Sequence, residues 1–203
     1  MSSSGPTTVV KVGGSLLDLP GLPRRLAEWL ESELPTETAL IIGGGPTADV
    51  VRSFDATHGL GDVTGHWMAV RAMALNTAMI SSLMPGLELA DSAQMVHGAF
   101  SRGRSVLIEP LNWLQTDERE GRGVPHQWEF TSDSIAAHVA HRLSADRLIL
   151  AKSALPESHG VQTAVDDGIL DPCFPDAARG LPVVELVNFR ADELVFHRVE
   201  GLD

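Results

Sequence analysis

Thr8-Val9-Val10-Lys11-Val12-Gly13-Gly14-Ser15 is the stretch on which the fold turns. Thr8 to Val12 is β-branched and apolar apart from Lys11, two glycines break it, and a helical pattern follows from about Leu22 to Leu34. The unit is strand, glycine turn, helix. It repeats at once: Ala39 to Ile42 is an apolar strand, Gly43-Gly44-Gly45 is the turn, and Pro46 suits the first helical position because its missing N–H has no intrahelical use there. Two such units in series imply parallel strands joined by a crossover helix.

The alternation continues downstream. Asp62 or Thr64 is placed to cap a long helix with apolar positions at Val63, Trp67, Val70, Met73 and Ala74, ending at Pro85-Gly86. A short strand near Leu87 to Leu89, a helix from Ser92 to Ser101 and a strand from Ser105 to Ile108 come next. Asn112 to Gln127 is polar, with glycines and mixed charge, and reads as a loop of the kind that covers a site. Thr131 or Ser132 then caps a helix from Asp133 to Leu143. Arg147 to Ala151 is a strand that delivers Lys152, and Val183 to Val187 is one more. The expected architecture is α/β, a mostly parallel central sheet flanked by helices in three layers, with residues 1–203 forming one domain.

The formal charge of −12 opposes polyanions, which excludes nucleic acid as a natural partner and offers nothing to an anionic membrane. No apolar run reaches the roughly 20 residues of a membrane span. Met1 to Thr8 has no basic region of the kind that opens a secretion signal, and the lone Cys173 forms neither an internal disulfide nor a metal cluster. The expectation is a cytoplasmic protein.

Thirteen arginines stand against two lysines, Lys11 and Lys152. An exposed cation tolerates either residue, so under a bias towards arginine the two lysines either survive by chance or mark positions where a compact ammonium is wanted in place of a planar guanidinium. Lys11 precedes Gly13-Gly14, whose N–H groups approach an anion with no Cβ in the way. Gly43-Gly44-Gly45 sets further N–H donors at a helix N-terminus, where the macrodipole favours a phosphate or carboxylate. Each glycine run alone is also an ordinary βα turn. Neither is a Walker A loop or a dinucleotide fingerprint. Thr131-Ser132-Asp133-Ser134 opens a helix with an acidic first turn, which capping alone explains unless the fold brings Asp133 to the lysines.

Taken in order, Lys11-Val-Gly-Gly-Ser15, Ile41-Ile-Gly-Gly-Gly45, Thr131-Ser-Asp-Ser-Ile-Ala136 and Leu148-Ile-Leu-Ala-Lys152 resemble the motif set of the amino acid kinase superfamily, which includes acetylglutamate and uridylate kinases. The resemblance spans about Val9 to Ser153. Within the group, the segment His66 to Met73, the short length and Pro125-His126-Gln127-Trp128 look like the small archaeal (aminomethyl)furan phosphate kinases of methanofuran biosynthesis and their bacterial relatives.

The resemblance implies ATP and Mg²⁺, with the γ-phosphoryl group moving to a small anionic acceptor: a phosphate monoester, or alternatively a carboxylate or UMP. A nucleotide- or anion-binding protein without turnover is the reading from another class. Lys11 would contact the transferred group, Lys152 the ATP phosphates, and Asp133 would orient both lysines. Gly13, Gly14, Ser15 and Ser153 would line the phosphate path. Gly43, Gly44, Gly45, His66, Trp67, Thr131 and Ser132 would hold the acceptor. No metal ligand set is implied. An anionic acceptor oxygen needs no general base, which fits motifs made of cations and glycines. The sequence departs after Lys152, where relatives carry Asp-Gly-Val; Ser153-Ala154-Leu155-Pro156 stands there, with Val165-Asp166-Asp167-Gly168 further on. His138 and His141 lack a third metal ligand at a usable spacing. The stripe Met68, Met73, Met79, Met84 reads as core or as the interface of a homodimer or higher homo-oligomer.

Overall fold

The computed structural model describes residues 6–35 and 37–202; the reading of residues 1–5 as free of a secretion signal lies outside them. Seven strands form one sheet: β1 (Thr8–Val12), β2 (Thr38–Ile42), β3 (Glu88–Ala90), β4 (Val106–Ile108), β5 (Arg147–Lys152), β6 (Val184–Asn188) and β7 (Phe196–Arg198). Their spatial order is β3-β4-β2-β1-β5-β6-β7. Every neighbouring pair is parallel except β6 with β7. The expected α/β sheet, mostly parallel and flanked by helices, is therefore present. The helices are α1 (Leu22–Ser32), α2 (Gly45–His58), α3 (Asp62–Leu83), α4 (Ala93–Phe100), α5 (Pro110–Arg119), α6 (Ser132–Arg142), α7 (Val161–Asp166) and α8 (Phe174–Ala177).

The central strands are apolar on both faces because helices cover both. Successive side chains point to opposite faces, and this parity sorts the core into two clusters. Val9, Ala39, Ile41, Leu148 and Leu150 pack with Met73 of α3, Trp113 of α5 and Ile135 of α6. Val10, Val12, Leu40, Ile42, Ile149 and Ala151 pack on the other side with Leu26 and Trp29 of α1. Lys11 has the parity of Val9, and Lys152 that of Leu148 and Leu150. Both lysines therefore leave the sheet on the face that α6 covers.

The chain runs from β1 outward through β2 to β4 and β3, then returns to the other side of β1 for β5. At such a reversal the loops at the carboxyl ends part, leaving a crevice. The loops there are Gly13-Gly14-Ser15 after β1, Gly43-Gly44 after β2 and Ser153 after β5.

Three readings need correction. Pro110–Arg119 is a helix where a loop was expected from Asn112: Glu109 caps it by accepting from the N–H groups of Leu111 and Asn112, and Trp113, Leu114 and Asp117 are buried along one side. The polar loop begins only after Arg119. The long helix is capped by neither Asp62 nor Thr64; its N-cap is Gly61, which has a left-handed φ of 78°, and Asp62 sits in the first turn. Val63, taken as an apolar helix position, is exposed on that helix. Among the described residues no helix is long and apolar enough to cross a membrane.

Candidate active site

At the carboxyl ends of β1 and β5 the two lysines meet one carboxylate. Lys11 Nζ lies 2.9 Å from Asp133 Oδ1, and Lys152 Nζ lies 2.6 Å from Oδ2. Oδ1 has no hydrogen bond beyond that ion pair. Lys152 also donates to the main-chain carbonyl of Ile169. All three side chains are buried. Burial alone would raise the Asp133 pKa; the charges of Lys11 and Lys152 outweigh it and hold the carboxyl down to about 2. Burial pushes the Lys152 ammonium down to about 8 against the pull of Asp133, with Lys11 adding repulsion. Two ammonium groups share one carboxylate, so these three side chains carry a net positive charge, which the Asp171 carboxylate offsets only from further off.

The glycine loops press against each other beside this cluster. A Cβ on Gly14 would fall 2.1 Å from the nitrogen of Gly45, one on Gly43 would fall 2.7 Å from the nitrogen of Gly14, and one on Gly13 would fall 2.8 Å from the carbonyl oxygen of Ala151. Gly45 itself has φ 47°, a conformation that suits glycine. Asn76 of α3, fully buried, donates to the carbonyls of both Gly43 and Gly44 at 2.8 and 2.7 Å, and its Oδ1 accepts from Thr47. In a trans peptide the N–H points opposite to the preceding carbonyl. By holding those two carbonyls, Asn76 turns the N–H groups of Gly44 and Gly45 away from α3. Across the crevice, the hydroxyls of Ser15 and Ser153 are 3.0 Å apart.

Asp133 is aimed by the start of its own helix. Asp171 is buried and caps α6 from outside: one carboxylate oxygen accepts from the N–H and hydroxyl of Thr131 and from the N–H of Ser134, the other from the Ser134 hydroxyl and the Cys173 N–H. Thr131 is the N-cap residue, yet its hydroxyl is engaged with Asp171, so the helix is capped by a residue 37 to 40 positions away.

Next to the glycine loop is a cavity of about 110 Å³ lined by residues that include Gly44, Gly45, His66, Trp128, Thr131 and Ser132. Arg52 also borders it, its guanidinium 5.6 Å from the Trp128 ring centroid. Trp128 Nε1 donates to Asp55 at 2.8 Å, and the indole lies so close to Gly65 that a Cβ there would come within 2.6 Å of it. His66 stacks on His126 with centroids 5.2 Å apart and meets Trp67 edge-on at 5.5 Å. Burial, seconded by the charge of His126, brings the His66 pKa down to about 4, so its ring is neutral.

Residues 6–154 match the amino acid kinase family. The chain belongs to that family. A (5-(aminomethyl)furan-3-yl)methyl phosphate kinase from Methanocaldococcus jannaschii is 26% identical over 145 residues, which are 70% of this chain; the match spans 64% of that relative's length. The UMP kinase from Ureaplasma parvum superposes with a TM-score of 0.71 at 12% identity, covering 98% of this chain and 97% of its own. The uridylate kinase from Archaeoglobus fulgidus gives 0.64 at 14% identity, with 97% and 92% covered. At those identities the two structures bear on the fold alone.

As an amino acid kinase the chain gathers its motif residues at one end of the sheet: Lys11, Asp133 and Lys152 in contact, Ser15 with Ser153, and Gly44, Gly45, His66, Thr131 and Ser132 around the cavity. Trp67 is half-buried and packs edge-on against His126. The stretch Val165-Asp166-Asp167-Gly168 is followed by Ile169, whose carbonyl accepts from Lys152. Asn76 and Asp171 escaped the sequence reading. His138 is engaged by Asp117 at 2.8 Å, which also pairs with Arg142. Among the described residues no three His, Cys, Asp or Glu side chains come together as metal ligands.

Proposed function

We propose that this protein is an ATP-dependent kinase, a single domain that moves the γ-phosphoryl group of ATP to an anionic oxygen of a small phosphate monoester of the (aminomethyl)furan phosphate kind. The observation that carries the reading is the buried Lys11–Asp133–Lys152 cluster with its surplus positive charge. An uncompensated charge in a buried place disfavours folding. It becomes favourable when an anion arrives, and most so when that anion gains charge at the phosphoryl group in flight. A passive anion store has no need of two lysines on one carboxylate at the point where two substrate loops meet.

In this reading the bond from the γ-phosphorus to the β,γ-bridging oxygen breaks as the acceptor oxygen bonds to that phosphorus, ADP leaves, and no proton need be taken from the acceptor. Lys11, beside Gly13 and Gly14, bears on the transferring group. Lys152, with Ser15 and Ser153, bears on the nucleotide phosphates. The N–H groups of Gly44 and Gly45 serve the acceptor. Asp133 already has an ammonium at each oxygen, so a protein-held Mg²⁺ finds no open carboxylate there. The ion suits nucleotide phosphates, where it retains most of its waters and neutralises charge.

Supporting a homodimer, Val50, Phe54 and Leu75 on α2 and α3 are exposed along one apolar groove that a second copy would cover. The reaction would run in the cytoplasm, where ATP is available. A coupled assay of ADP release with (5-(aminomethyl)furan-3-yl)methyl phosphate, UMP and acetylglutamate as acceptors tests the proposal. Turnover with the phosphate monoester above the acceptor-free background is expected. Background rates with all three would refute it.

A further inference from the structure

Three neighbouring strands, β1, β5 and β6, end in loops that close a ring of hydrogen bonds. The Ser15 hydroxyl lies 3.0 Å from that of Ser153. One residue earlier, the carbonyl of Lys152 accepts from the N–H of Phe189 at 2.8 Å. Arg190 completes the ring: its Nη2 donates to the main-chain carbonyl of Ser15 at 2.7 Å and also meets Asp18. The corner that presents Arg190 is firmly held. Phe189 is fully buried and packs on Trp29 with ring centroids 4.9 Å apart. Arg25 lies over the Phe189 ring and donates to the carbonyl of Ala191, and the Asn188 side chain accepts from the Arg190 N–H at 3.0 Å.

The turn that receives the guanidinium is short. Gly14–Leu16 is a single turn of 3₁₀-helix, in which the carbonyls of Gly13, Gly14 and Leu16 accept main-chain N–H groups while that of Ser15 accepts from Arg190. The N–H of Leu16 donates to Gly13 at 2.9 Å, so the planar peptide between Ser15 and Leu16 is gripped on both edges. We propose that Arg190 is a positioning residue: through the Ser15 carbonyl it keeps the glycine loop after β1 in register with Lys152 and Ser153 while nucleotide phosphates are bound. The proposal rests on the kinase reading, in which Ser15 and Ser153 bear on those phosphates. A hydroxyl that turns to a phosphate oxygen gives up the contact between the two serines. One side of the ring then opens, and the bond from Arg190 is what still ties Ser15 to the loops after β5 and β6. The side chains of Arg190 and Asp18 are 36% and 72% exposed, and an ion pair so open to water adds little to stability. Removing the guanidinium should therefore leave the melting temperature nearly unchanged and show itself in nucleotide binding.

Calorimetry of ATP with Mg²⁺ on wild type, Arg190→Ala, Arg190→Lys and Asp18→Asn tests the assignment, together with amide exchange at Leu16 read by NMR in the nucleotide-free proteins. Arg190→Ala should weaken ATP binding by about tenfold, the worth of one hydrogen bond, and speed Leu16 exchange by a similar factor. KM for ATP should rise with the dissociation constant while kcat holds, the pattern of lost uniform binding. Arg190→Lys keeps a cationic donor without the fixed fork and should recover part of both effects. Asp18→Asn still offers the guanidinium an acceptor and should bind ATP as the wild type does. Unchanged ATP affinity, or unchanged Leu16 exchange, in Arg190→Ala overturns the proposal. So does a gain in ATP affinity in Asp18→Asn as large as the loss in Arg190→Ala, which would make Arg190 itself a phosphate ligand released from its carboxylate. A wild type that takes up no ATP refutes the kinase reading instead, and faster Leu16 exchange in Arg190→Ala then still supports the hold on the turn.

Discussion

Asp133→Asn removes the carboxylate that two buried ammonium groups share while keeping the side chain's shape. Breaking one side of a buried ion pair costs about 3–5 kcal/mol because the remaining charge is left without compensation. The relief open to the variant is to neutralise Lys152, whose pKa of about 8 in the wild type is already depressed by burial and held up chiefly by Asp133. Without that carboxylate it should fall below 7. The sign follows from linkage. Lys152 has a folded pKa below its unfolded 10.5, so its burial opposes folding. That penalty is constant below the folded pKa and shrinks by about 1.4 kcal/mol per pH unit as pH rises from there towards 10.5.

Between pH 7 and 9 the wild type should gain about 1.4 kcal/mol, since only the interval above 8 counts. The variant should gain about 2.7 kcal/mol, since the whole interval counts. The deficit of Asp133→Asn should therefore narrow by about 1.4 kcal/mol from pH 7 to pH 9. Urea unfolding of both proteins at the two pH values measures this directly. A deficit under about 1 kcal/mol at pH 7, or one that widens with pH, would show that Asp133 does not hold charged lysines.

Lys11→Arg keeps the charge but not its placement, and the interlocked Gly13-Gly14 backbone leaves a guanidinium little freedom; kcat should fall by on the order of a hundredfold while ATP affinity, read by calorimetry, changes much less. If Lys152 must be an ammonium, kcat should hold below pH 8 and decline as pH rises through about 8, and a rate flat to pH 9.5 would remove Lys152 from the chemistry. Asn76→Ala takes from the buried Gly43 and Gly44 carbonyls their side-chain donor, leaving Gly44 with the Ala48 N–H alone, and a loss of about 2–3 kcal/mol in urea unfolding is expected, with KM rising for the acceptor more than for ATP. Light scattering at micromolar concentration should give twice the chain mass, and Phe54→Glu, in the exposed groove between α2 and α3, should halve it.

Strand parity made much of the site legible. Residues 9, 11, 148, 150 and 152 share a face of the sheet because the side-chain period is 2, so two lysines on parallel neighbouring strands were bound to emerge on the same side once the pairing was granted. The glycine runs were legible for a similar reason: the turns that end parallel strands gather at one edge. Asn76 and Asp171 were not. Each acts across more than 30 residues of sequence on a main chain it does not adjoin, and nothing local to either residue reports that. The helix α5 was misread because its start signal, Glu109 followed by Pro110, precedes the polar run, and a single stripe of Trp113, Leu114 and Asp117 had to outweigh the charges around it.

The contact of Gly14 with Gly45 has a consequence for how such a protein diversifies. Backbone meets backbone there, so no side chain can be traded at either position to adjust the gap, and the distance between the two glycine loops is inherited with the fold. If the cavity takes the acceptor as proposed, a lineage moving to a new acceptor must leave that junction alone and change the cavity walls instead. Those walls come largely from α3 and from the segment carrying Gln127 and Trp128. Both can accumulate substitutions one at a time while the transfer distance stays constant.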